Sequence, residues 1–152
     1  MRVFANLAEM QALAGQEVAV SDWIEVDQER IDRFAEATGD HQWIHVDAGR
    51  AARESPYGAT VAHGFLTLAL LPAMLQASMR MADVSMGLNY GLNKVRFPAP
   101  LTAGGRVRGR FSILSVTPLE GGGAQVEWGV SMEAVEGGKP VCVAEFLMRR
   151  YP

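Results

Sequence analysis

The segment ATGDHQWIHVD, residues 37–47, carries a carboxylate at Asp40 and an imidazole at His45. Two such groups reaching the same water could draw a proton from it and pass one on, the work of general acid-base catalysis. Their spacing limits how they could meet. Five residues along a regular helix turn the chain by about 500°, and along a strand an odd spacing sends side chains to opposite faces. Convergence therefore needs an irregular segment, and Gly39, suited to end a helix in the left-handed conformation, supplies one. The same residues admit a plainer assignment: Asp40 closes a helix end and His45 is a hydrogen-bonded, half-buried histidine. His41 and His45 also have the four-residue spacing of a two-imidazole metal site, with Asp40 or Asp47 as a further ligand. Gly39 argues against the continuous helix that such a site requires, so no metal is expected.

A second candidate lies in TVAHGFLTLALLPAM, residues 60–74. Here Gly64 opens an apolar helix, and the first N–H groups of any helix lack internal acceptors and favour negative charge. Without a Cβ, Gly64 lets a carbonyl oxygen approach the backbone, and one such donor aimed at a developing oxyanion is worth roughly 3 to 4 kcal/mol of barrier. This requires the helix to begin near His63; a cap at Thr60 would spend the Gly64 N–H inside the helix. Tight helix-on-sheet packing is the alternative use of that glycine. His63 itself is expected to be a hydrogen-bonded structural residue close to the pocket, and Trp43 and Tyr57 either line that pocket or fill core.

Several elements must position these groups. Asn6 followed by Glu9 marks a helix start running to about Leu13, with Gly15 as its stop. Residues 16–26 alternate as a strand through Val18, Val20, Ile24 and Val26. Asp27 caps a helix whose inner face is Ile31, Phe34, Ala35 and Thr38, closed by Gly39. Residues 47–54 form a further turn or two of helix, ended by Ser55-Pro56. The stretch from His63 to about Met81 is apolar nearly all round, which predicts a long buried helix kinked at Pro72. From Val84 the period changes to two. Residues 124–134 alternate apolar and polar side chains, Val107, Phe111 and Ile113 alternate with Arg106, Arg108 and Arg110, and 141–150 makes another strand. The tri-glycine 121–123 and Gly137-Gly138 supply the turns. Helices followed by antiparallel strands mean α+β, with the sheet wrapped round the buried helix.

Composition sets the outer limits. A chain of 152 residues that is 49% hydrophobic and 20% charged can bury roughly two-thirds of its unfolded surface, so one core in one domain, residues 1–152, needs neither disulfide nor metal. A net charge of −3 leaves no basic footprint for nucleic acid. The longest greasy run, Phe65 to Leu75, is far shorter than the roughly 20 residues of a membrane span. One cysteine, Cys142, fits a reducing, cytoplasmic setting and reads as a packed thiol. The arginines 106, 108 and 110, with Lys94 and Arg96, form a basic stripe that is a solvated face or, less often, a phosphate contact. No dinucleotide, phosphate-loop or nucleophile-elbow pattern is present.

The segments FAEATGDHQWIHVD, GATVAHGFLTLALLPAM and NYGLNKVRFPAPLTAGGRVRG together resemble the MaoC-like dehydratases, hot-dog-fold proteins that include the (R)-specific enoyl-CoA hydratases. Within that family the resemblance is closer to the nodulation-protein-N-like branch, and it covers residues 16–150 or so. It implies a single hot-dog domain and reversible hydration of a trans-2-enoyl thioester to the (R)-3-hydroxyacyl thioester. Asp40 and His45 would be the paired catalytic groups, with Gly64 holding the thioester oxygen. The substrate would be an acyl-CoA or acyl-carrier-protein thioester, with no metal or redox cofactor, in a homodimer whose site lies near the subunit boundary. The family loop usually reads Asp-x-Asn-Pro-x-His; here Gln42 stands at the Asn position and Trp43 at the Pro position, which bears on substrate choice. The rival functions are a hot-dog thioesterase and a non-catalytic acyl-thioester binder.

Overall fold

A computed structural model describes residues 1–152. Its frame is an antiparallel sheet built from β2 (Glu17–Val20), β3 (Ile24–Val26), β5 (Met86–Arg96), β6 (Gly105–Pro118), β7 (Ala124–Ala134) and β8 (Cys142–Tyr151). The order is β2-β6-β7-β8-β5, with β3 also pairing with β6. The three long inner strands present Val107, Phe111 and Ile113, then Val126, Trp128, Val130 and Met132, then Ala144, Phe146 and Met148 to one buried face, as their period of two requires. Arg108, Arg110, Ser131, Glu133 and Glu145 fall on the other.

Against the buried face lie α5 (Gly64–Ala69) and α6 (Leu71–Ser78), which contribute Leu66, Leu71, Met74 and Leu75 to the core. Gly109 lets the helix come close: a Cβ there would sit 2.8 Å from the Phe111 ring and 3.2 Å from the Met74 sulfur. The expected single long helix is instead two. Pro72 stands in the first turn of α6, where its missing N–H costs nothing. The Leu70 N–H is shared between the carbonyls of Leu66 and Thr67, both at 3.2 Å. The helical run also stops earlier than expected, because Met79–Met81 is a strand, β4, paired in parallel with β1 (Arg2–Phe4).

The remaining helices precede α5 in the chain. Asn6 caps α1 (Leu7–Gln11) by accepting from the Glu9 N–H, while Glu9 reaches back to the N–H of Ala5. The expected strand 16–26 divides into β2 and β3 because Ser21 leaves the ladder. Its backbone N–H bonds the Gly109 carbonyl, and its hydroxyl accepts from the Gly109 N–H. Asp27 caps α2 (Gln28–Thr38), which ends at Gly39 with φ of 78°. A one-turn helix, α3 (Trp43–Val46), follows, and Asp47 caps α4 (Ala48–Glu54). No helix is long and apolar enough to cross a membrane.

Candidate active site

Gly39 turns the chain out of α2, so Asp40 is the first residue of the connection to α3. Its carboxylate is about half exposed, at 52%, and one oxygen lies 3.4 Å from the Gln42 N–H. His45 sits in the middle of α3 and is buried. The convergence that regular spacing forbids is achieved by this break between two helices, followed by a single helical turn.

The segment carrying Val61 fixes the His45 ring. Residues 60–62 run extended between α3 and the stretch 101–103. Val61 donates to Ile44 at 3.0 Å, Ala62 to Leu101 at 2.8 Å, and Ala103 to Thr60 at 2.9 Å. The Val61 carbonyl so placed lies 2.7 Å from His45 Nδ1. A carbonyl only accepts, so Nδ1 carries the hydrogen and Nε2 of the neutral ring is left with a free lone pair. Gln28 braces the same turn from α2. Its amide donates to the His45 carbonyl at 2.7 Å, and its oxygen accepts from the Thr60 hydroxyl.

His63 completes the cluster. It caps α5 and is 2% exposed; its ring stacks on that of His45 with centroids 3.8 Å apart and planes 23° apart. One donor atom from each of Asp40, His45 and His63 lies within 4.8 Å of the others. A gap of that size between carboxylate and imidazole is spanned by one water making two ordinary hydrogen bonds of about 2.8 Å. Of the ring nitrogens in this group, His45 Nδ1 is engaged with the Val61 carbonyl and His63 Nε2 with the Asp40 carbonyl. His41 is not part of the group: it turns to Glu36, 3.4 Å away.

Gly64 is the first residue of α5, and no side chain caps the helix. Its N–H is therefore among those without an intrahelical acceptor, the condition that a cap at Thr60 would have removed. The ring of Phe97 occupies the space where a side chain would be, 2.7 Å from an idealised Cβ. A cavity of about 240 Å³ is lined by Gly64, Tyr57, Thr67, Phe97 and neighbours. Tyr57 thus shares a cavity with Gly64. Gln42 and Trp43 do not: Gln42 is exposed at the start of α3, and Trp43 lies under the Arg50 guanidinium, 4.3 Å from its ring centroid. Asp40, His45 and His63 are not among the residues lining that cavity; His63 stands between Ala62 and Gly64, which are.

A larger hollow of about 640 Å³ lies on the outer face of the sheet, among Glu17, Lys94, Arg96, Arg110 and Glu145. Most of its charges answer one another. Arg110 makes two contacts of 2.9 Å with Glu17, Arg108 and Arg110 share Glu133, and Lys94 is 3.5 Å from Glu145. Two of the three arginines of the stripe are thereby engaged with carboxylates. Cys142 is buried, and desolvation pushes its thiol up to about 11.

Reading the sequence alone missed the carbonyl of Val61, the brace of Gln28 and the wall of Phe97. None carries a local signal, since each acts across a tertiary contact.

The model of the MaoC-like domain matches residues 9–134. The chain is 48% identical over 149 residues to a protein of Mycobacterium tuberculosis named 3-hydroxyacyl-thioester dehydratase Z, covering 98% of each chain. It is 48% identical over 144 residues to nodulation protein N of Rhizobium leguminosarum bv. viciae, covering 93% of this chain and 89% of that one. Among solved structures, the unliganded R-hydratase of Pseudomonas aeruginosa superposes with a TM-score of 0.74 over 95% of this chain and 84% of its own, at 22% identity. With the helix pair laid against a single antiparallel sheet, these matches make the chain a member of the MaoC-like domain family with the hot-dog fold.

Proposed function

We propose that the protein reversibly hydrates a trans-2-enoyl thioester to the (R)-3-hydroxyacyl thioester. The observation that carries this reading is the hydrogen bond from His45 Nδ1 to Val61. It leaves Nε2 as a base, in a cluster where ligand atoms of Asp40, His45 and His63 lie within 4.8 Å of one another and Gly64 next along the chain opens a helix without a side-chain cap. The names of the relatives, 3-hydroxyacyl-thioester dehydratase among them, support the reaction class.

In the hydration direction, His45 Nε2 accepts a proton from the water as its oxygen bonds to C3 of the enoyl group. The C2–C3 π electrons move toward the thioester carbonyl, and the enolate-like oxygen accepts from the Gly64 N–H. The proton taken up by His45 passes to the Asp40 carboxylate and from it to C2 as the enolate electrons return, so that both groups regain their starting state and one water has been added overall. The roles of Asp40 and His45 belong to a coupled pair. No redox group or metal enters the sequence of steps. Tyr57, in the cavity with Gly64, would contact the acyl chain.

A homodimer fits the same reading. β5 is the last strand of the sheet, eleven residues long with one edge unpaired, and it exposes Met86, Leu88, Tyr90 and Leu92. A long, apolar free edge invites another strand. Phe65, one residue beyond Gly64, is a further exposed aromatic at 68% and meets the Phe97 ring edge-on.

Purified protein mixed with crotonyl-CoA tests the reaction, together with longer and branched enoyl thioesters. Loss of the conjugated enoyl absorbance without release of free thiol is the expected result. Thiol release would instead mean a thioesterase, and binding without either change a non-catalytic binder.

A further inference from the structure

We infer that His63 is a positioning residue that holds both members of the Asp40–His45 pair; this inference rests on the hydratase reading above. Its Nε2 lies 3.0 Å from the backbone carbonyl of Asp40 and 3.9 Å from a carboxylate oxygen of the same residue. The carbonyl accepts, so Nε2 carries the hydrogen. Nδ1 is buried and has no partner. In that tautomer Nδ1 is a bare lone pair, and the ring's one hydrogen-bond donor is spent on the Asp40 backbone. The part assigned to His63 is therefore geometric.

The geometry acts on both partners. The bond to the Asp40 carbonyl restrains the residue just outside the helix-ending Gly39, a place where the chain has left α2 and not yet entered α3. The flat face of the ring packs 3.8 Å from His45, and Phe34 of α2 closes its other surroundings with ring centroids 4.9 Å apart. The two restraints are unequal. His45 already has Val61 and the brace of Gln28, whereas the Asp40 carbonyl has His63. Loss of the donor should thus cost more than loss of the stack. His63 is also the residue before Gly64, at the N-terminal boundary of α5.

Two replacements separate the donor from the ring. His63→Phe keeps a stacking face and removes the donor. His63→Gln removes the face and keeps an amide N–H at the position of Nε2. With crotonyl-CoA, His63→Phe should lose about 100-fold in kcat with KM changed by no more than about threefold, the scale that a misplacement near 1 Å carries. His63→Gln should recover most of that loss. Phe as active as Gln, or an effect falling on KM alone, would overturn the inference. Asp40→Asn and His45→Ala run in parallel keep the two readings apart: full activity in those variants defeats the hydratase dyad itself, while their inactivity with no Gln rescue defeats only the role of His63. Should the variants not fold, nitrogen-15 spectra of the wild-type protein decide the matter. A protonated Nε2 and bare Nδ1 on His63 are expected, and the opposite tautomer would refute the assignment.

Discussion

The start of α5 and the outer face of the sheet both carry polar groups in a hollow, and they differ in what those groups have left to give. On the outer face, Arg108 and Arg110 bond to Glu133 and Glu17, and Lys94 faces Glu145. Around α5, His45 Nε2 is left free by the bond at Nδ1, His63 Nδ1 has no partner, and Gly64 begins a helix without a side-chain cap. The outer hollow is the larger, about 640 Å³ against about 240 Å³. Unspent hydrogen-bonding capacity in a buried setting, rather than volume, marks the place where chemistry can be done. Paired surface charges give modest stability and little else.

That contrast breaks most sharply at His45. His45→Ala should lower enoyl-thioester hydration by about 100- to 10,000-fold, the span of general acid-base catalysis, while Arg110→Ala should leave turnover within about twofold in the same spectrophotometric assay. Next comes Gly64→Val. Its side chain would meet the Phe97 ring, so crowding should cost about 1–3 kcal/mol of stability. Turnover should fall by about tenfold or more, as the helix start is pushed off its line. Denaturant unfolding and kinetics on one preparation separate the two effects.

A smaller effect sharpens the other side of the comparison. The hydrogen bond and charge of Arg108, with help from Arg110, hold the Glu133 carboxyl below its ordinary range. The stabilisation this gives is present above the ordinary carboxylate pKa and disappears as pH falls through the lowered one. Glu133→Gln should therefore be slightly less stable than wild type at neutral pH and converge with it in strong acid. Added salt should shrink the gap, because the pair is only partly buried. Melting curves from pH 7 to pH 2 at two salt concentrations check this. The smallest effect is on Cys142: with its thiol pushed up to about 11 by burial, iodoacetamide at pH 8 should leave it unmodified in the folded protein and label it only after denaturation.

Much of the frame could be read from residue order because local rules decide it. Alternation across 124–134 gives β7 at its exact bounds, and Asp27 and Gly39 mark α2 by cap chemistry at each end. The division at Leu70 was legible only as a kink, since Pro72 announces a break without saying that a second helix restarts around it. β1 and β4 escaped because a three-residue parallel pairing between residues 2–4 and 79–81 has no local pattern. At the site, the types Asp40, His45 and Gly64 stand out in the sequence. The atom that selects the His45 tautomer is a backbone carbonyl sixteen residues away, and every residue has one. Gln42 and Trp43 were expected at the substrate from their place in the loop; in the fold the first faces solvent and the second packs under Arg50.

The central claim is that the Asp40 carboxylate works with His45 in moving protons between water and substrate, and Asp40→Asn tests it with almost no change in shape. Titration with crotonyl-CoA and stopped-flow hydration on the same sample give binding and turnover together. The account predicts affinity close to wild type with turnover reduced by about 100-fold or more. An Asn variant that binds and hydrates like the wild type would contradict it.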